Sequence, residues 1–289
     1  MKFELMGMEG SDIERLHGRA ERVIEKARIK EADFLEPYGK ETVERDLENV
    51  RRKEEKFREE SDQGLTELKR IADIFEAIVL ENGELNNWFG ESAVTVKTSK
   101  YDDYENGVDA VVEFRADEPR SASFLGLAAD VTFSSDTTKK FNRLKTQIAK
   151  GILPRVKYFH SEFANIHGQL SMVPEVIIGA SKQTVLEVAE LWANRENKEL
   201  ANHRLQIMIL HQIEEQLVTL SQYARSIGQQ RIADVYADRL GVIRQILEDK
   251  IDIEKRVGYT AMTDDPVHAG IMNILAKLRH DIEISGSQA

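Results

Sequence analysis

The chain has 289 residues, 31% of them charged, with a net charge of −11 and no cysteine. That length accommodates one substantial core with a helical appendage. The acidic balance works against indiscriminate attraction to nucleic acid or anionic membrane, so any polyanion must be met by a local basic patch. Disulfides, zinc–thiolate sites, iron–sulfur clusters and thiol nucleophiles are excluded together.

The first residues, Met1 to Met6, are broken by charge and run into Asp12, Glu14 and Arg15, unlike the apolar stretch of a signal peptide. No run approaches the roughly 18 apolar residues that span a bilayer. A cytoplasmic protein without membrane contact is the expectation.

Residues 11–61 carry Glu, Lys and Arg at helical spacing with a break at Glu36-Pro37-Tyr38-Gly39, which predicts two charged helices with a narrow buried stripe. From Leu65, the recurrence of Leu68, Ala72, Phe75 and Val79 predicts a core-facing helix ending near Asn82-Gly83. Residues 93–98 read as a first strand, Asn106-Gly107 as a turn, 108–114 as a second strand and 124–133 as a third. Ser134-Ser135-Asp136 offers N-cap chemistry for a helix carrying Phe141, Leu144 and Ile148, closed by Gly151 and Pro154.

Residues 156–159 and 176–178 read as short buried strands, and Ser181 caps a helix to about Trp192. Beyond Asn194 only helices are expected, over 198–226, 229–250 and 265–282, the last with Pro266 in its first turn. The class is mixed α/β (α+β). A charged helical N-terminal region (1–62) precedes an α/β core (63–195) and a C-terminal helical region (196–289).

Alternation puts Asp109 on one face of the second strand with Val111 and Glu113, and Asp130 on a face of the third strand with Gly126, Ala128 and Thr132. Ionised carboxylates on buried strands need cations, and a pair on neighbouring strands suits a hard divalent ion, Mg2+ or Mn2+. The plainer alternative is a pair of strand-end acids matched by Lys or Arg. Glu76 is the acid nearest the apolar stripe of the preceding helix. Between Thr137 and Lys157 stand Lys139, Lys140, Arg143, Lys145, Lys150 and Arg155 with no acid, either a phosphate-facing surface or a solvated basic face. Lys140 lies on the side of Leu144, and Lys139 points nearly opposite.

A helix with an acid, three strands with acids on the second and third, then a helix and a further strand: this order, over about residues 65–160, resembles the PD-(D/E)XK nuclease superfamily. The resemblance implies a restriction-endonuclease-like core and metal-dependent hydrolysis of DNA or RNA. It implies metal positions at Asp109 and Asp130, with Glu76 as the helical acid of some members. The family's lysine, two residues after the second acid, is replaced by Thr132; members that move it to the following helix imply Lys140 here. An inactive relative acting as a binding or scaffold module through its helices stays open, as does a helical interaction protein whose sheet is only structural.

His203 and His211, even with Glu215, offer too few ligands for zinc or di-iron. No Gly-rich phosphate loop or Ser-centred elbow is present. Stripes of Leu205, Ile209, Ile213, Leu217 and Leu220, then Ile232, Tyr236, Leu240, Ile243 and Leu247, predict an antiparallel helical hairpin. Ile207, Met208 and Leu210 lie off that stripe and call for docking on the core or on a second subunit in a homodimer.

Overall fold

The computed structural model describes residues 10–59, 63–115, 122–130, 135–258 and 263–286, with side chains at 63–66, 128–130, 135–136 and 286 outside the description. Helix α1 (Gly10–Ala27) buries Ile13, Leu16, Ala20 and Ile24, one stripe at three- and four-residue steps that packs on α4 (Gln63–Leu85). After a short α2 (Leu35–Tyr38), α3 (Lys40–Glu59) buries only Val43, Asp46 and Val50, as its sparse apolar residues require.

The core face of α4 is formed by Ile71, Ile74, Phe75 and Ile78, whereas Leu68, expected on it, is 39% exposed. The helix also runs through Gly83 to Leu85. That glycine marks a close approach and not a stop, because a Cβ there would sit 2.3 Å from Thr95 Oγ1.

The four-stranded sheet has the order β1 (Ala93–Lys97), β2 (Ala110–Arg115), β3 (Ala122–Asp130), β6 (Glu175–Gly179). β1, β2 and β3 are antiparallel neighbours, and β6 runs parallel to β3. The register sets Ala93, Thr95 and Lys97 beside Phe114, Val112 and Ala110, so these residues share the face toward α4. Val111 and Phe124 turn to the opposite side, against Val156, Phe159 and Leu170.

Two elements were not expected from sequence. Helix α5 (Lys100–Asn106) fills the β1–β2 connection, N-capped by Ser99 and closed by Gly107 at φ 70, so the Asn106-Gly107 turn is a helix C-terminus. Strand β5 (His167–Leu170) pairs with β4 (Val156–His160) in a separate two-stranded sheet. Glu113 is buried and anchors that hairpin, accepting from Ser161 Oγ and from the Glu162 and Phe163 N–H groups at 2.9 and 3.0 Å.

The remaining helices are α6 (Ser135–Ala149), α7 (Lys182–Ala193), α8 (Asn197–Leu200), α9 (Arg204–Ser226), α10 (Gln230–Asp249), α11 (Ile251–Val257) and α12 (Pro266–Gly286). The single helix expected over 198–226 is interrupted before His203, which N-caps α9. α9 and α10 form the expected hairpin, and Ile207, Met208 and Leu210 are buried within the chain. α9 also packs on β6. Gln216 accepts from Ile177 N (2.8 Å) and donates to Ile177 O (2.7 Å), and Gln212 does the same at Gly179 at 2.8 Å each way. Two amides one helical turn apart thus satisfy alternate residues of a sheet edge that would otherwise be buried unpaired. No helix among the described residues is long and apolar enough to cross a membrane.

Candidate active site at the end of the sheet

Lys97 closes β1 on its inward face and is fully buried. Its Nζ lies 2.6 Å from Glu76 Oε1 of α4 and 2.8 Å from Asp103 Oδ2 of α5. Arg28 reaches Asp103 from the end of α1 at 3.5 Å. Burial works against the ammonium charge, but Glu76, Asp103 and Asp109 outweigh it, so the pKa of Lys97 is raised and the group stays charged. The excess negative charge falls on Glu76, whose carboxyl is pushed up to about 7 by burial and by Asp109 and Asp103, against the pull of Lys97.

Asp109 is half-buried and stands one residue before β2, not within it as expected. Its N–H donates to Leu127 O of β3 at 2.9 Å, and its carbonyl accepts from Thr98 Oγ1 at 3.0 Å. On its other side is Glu175, the first residue of β6. This carboxyl is fully buried, pairs with Arg143 of α6, and is pushed up to about 8 by burial and by Asp109, against Arg143 and Lys140. Arg143 also donates to Asn106 O (3.0 Å) and Gly107 O (3.3 Å), tying α6 to the loop that leads into Asp109.

Of the residues singled out from sequence, Glu76, Asp109 and Lys140 fall within one electrostatic neighbourhood. The backbone of Asp130 ends β3 level with Gly179; its side chain, and Thr132 altogether, lie outside the described residues. Among the described residues no three His, Asp or Glu side chains converge as a metal group. On the basic segment, Lys139, Lys150 and Arg155 are exposed and Lys140 is half-buried. Lys145 lies 5.6 Å from the Tyr223 ring. Arg143 and Lys157 face inward: Lys157 pairs with Asp46 and stacks over Tyr38, Tyr101 and Tyr158 at 5.2, 5.1 and 5.3 Å.

Sequence reasoning missed Lys97, Asp103 and Glu175. The signal for Lys97 was present, since it alternates with Ala93 and Thr95 on the face that must be inward. Asp103 sits on a helix without an apolar stripe. Glu175 precedes a three-residue apolar run that says nothing of its neighbours.

Comparison of the chain with protein-family models, with curated proteins and with solved structures returns no match.

Proposed function

We propose that the chain is a metal-dependent nuclease that hydrolyses phosphodiester bonds of DNA or RNA. The observation that carries this reading is the position of Asp109 between two buried carboxyls, Glu76 and Glu175, both pushed up in pKa partly by its charge. Protein interiors do not gather acids in this way without a use for them. The element order supports the same reading, because α4, the meander β1–β2–β3, α6 and the parallel β6 follow the sequence of elements that the resemblance implies.

The donor set fits a hard divalent cation in chemistry and in charge, being carboxylate oxygens whose burial penalises their negative form. Glu76, Asp109 and Asp130 would hold Mg2+ or Mn2+, which when bound polarises a phosphoryl oxygen and acidifies a water. Lys97 keeps Glu76 and Asp103 in place. Lys140, in the field of Glu175, is the ammonium on the side of α6, and the exposed Lys139, Lys150 and Arg155 offer charge to the polyanion backbone.

The test is cleavage of single- and double-stranded DNA and RNA by the full chain with Mg2+ or Mn2+, against an EDTA control. Cleavage abolished by EDTA and by Asp109→Asn or Asp130→Asn is the expected result. One observation favours a second reading, an inactive fold that acts through its helices: Glu76 already has a cation in Lys97. A folded chain that neither binds Mn2+ nor cleaves any of these substrates would establish it.

A further inference from the structure

We infer that Glu175 is a further acidic ligand of the same cation site, held for that role by Arg143; the inference rests on the nuclease reading above. Glu175 is wholly buried, yet only one of its carboxylate oxygens is used. Oε1 accepts from Arg143, while Oε2 has no hydrogen-bond partner among the described residues. A buried carboxylate oxygen without a partner is costly and calls for an ion or a water. A purely structural Arg–carboxylate pair would engage both oxygens through the guanidinium fork. Arg143 instead directs its remaining donors to Asn106 O and Gly107 O.

Those two carbonyls belong to the loop that leads into Asp109, so one guanidinium fixes both acids. The backbone brings them together. Asp109 N–H bonds to Leu127 O on one side of β3, and Glu175 is level with Gly126 on the other. Between them Gly126 has no side chain; a Cβ there would meet Val108 Cγ1 and Val173 Cγ1 at 3.3 Å and lie 3.7 Å from Glu175 Cα. The space above β3 is thus kept narrow and free of a side chain at that point. Lys140 acts electrostatically on Glu175 from α6. Oxygen donors of this kind take a hard divalent cation such as Mg2+ or Mn2+.

The experiment is calorimetric titration of the full chain with Mn2+ in the absence of nucleic acid, run beside the cleavage assay. Glu175→Gln keeps an oxygen for Arg143 and removes the charge. It is expected to weaken Mn2+ binding about 10- to 100-fold with an unchanged or higher thermal midpoint. Should that variant fail to fold, Glu175→Asp keeps the charge and withdraws the oxygens, and binding is again expected to weaken. Unchanged Mn2+ affinity in whichever variant folds overturns the inference. A parent that cleaves with Mn2+ while the folded variant binds the ion as tightly removes Glu175 alone and leaves the nuclease reading standing; a parent that neither binds nor cleaves removes both.

Discussion

Lys97 Nζ lies 2.6 Å from Glu76 Oε1, joining the last residue of β1 to the middle of α4. The lysine is fully buried, so removing it strands Glu76 and Asp103 as uncompensated charges in a dry interior. Lys97→Met is therefore expected to destabilise the chain by about 3–5 kcal/mol. The same change in a Glu76→Gln background should cost markedly less, because one of the stranded charges is gone. Equal losses in the two backgrounds, read from urea unfolding, would mean the residues are not energetically coupled.

Gln216 carries a comparable load without charge. In Gln216→Leu, Ile177 keeps a buried N–H and a buried C=O with no partner, at about 1–3 kcal/mol for each orphaned group. Amide hydrogen exchange should accelerate at Ile177 and, more weakly, at Gly179. Protection at Ile177 equal to that of the parent would show that another group pairs the β6 edge.

What was legible in the sequence follows from how local each signal is. The hairpin of α9 and α10 could be read because its apolar stripes are long and periodic, and β1 to β3 because alternation and apolar runs survive in a single segment. Helix α5 could not. Its stretch from Lys100 to Asn106 has no stripe, and it is held by Asp102, which accepts from the Lys157 and Tyr158 N–H groups of β4 at 2.7 and 3.0 Å. Strand β5 hides for the same reason, its Gly168 and Gln169 being placed by pairing with β4. Glu76 and Asp109 were found from the faces they occupy. Glu175 was not, because its relation to Asp109 exists only through the parallel register of β6 on β3, and Arg143 read as a surface cation because its partner is distant in sequence.

Gly107 is expected to be the least replaceable glycine with positive φ. At φ 70, a Cβ would lie 1.8 Å from Arg143 Nη1, so Gly107→Ala displaces the guanidinium and leaves Glu175 without its cation. Gly228 has φ 78, but a Cβ there would meet nothing within 4 Å, and Gly228→Ala should cost only the left-handed backbone penalty of about 1–2 kcal/mol. Gly107→Ala should exceed that by about 3 kcal/mol or more, the cost of breaking a buried pair. Matching losses for the two variants in thermal unfolding would place Arg143 outside the energetics of that loop.

Lys150 and Arg155 are exposed, whereas Lys157 is committed to Asp46. If the basic segment meets a polyanion, the double variant Lys150→Gln, Arg155→Gln should flatten the dependence of log K on log salt by about 0.7–0.9 for each lost phosphate contact. Lys157→Gln should lower stability and leave the slope unchanged. Fluorescence anisotropy of a labelled oligonucleotide across a sodium chloride series measures both, and an unaltered slope in the double variant would move the binding face elsewhere.

His203 gives the fold an acid-sensitive joint. Its Nδ1 accepts from Leu205 N at 3.1 Å and caps α9, a role only the neutral ring can fill. Burial, and then the charge of Arg204, hold its pKa down at about 4 against an ordinary 6.5, with Glu187 opposing. Between those two values the unfolded chain takes up a proton that the folded chain refuses. The contribution of His203 to stability is therefore complete above pH 6.5 and is lost as the pH falls toward 4. His203→Asn preserves a capping oxygen and does not titrate. The stability difference between parent and variant, measured by urea unfolding at intervals from pH 7.5 to about 4.5, should shift in favour of the variant as the pH falls. A difference that stays constant across that range would show that the ring does not have to be neutral to cap α9.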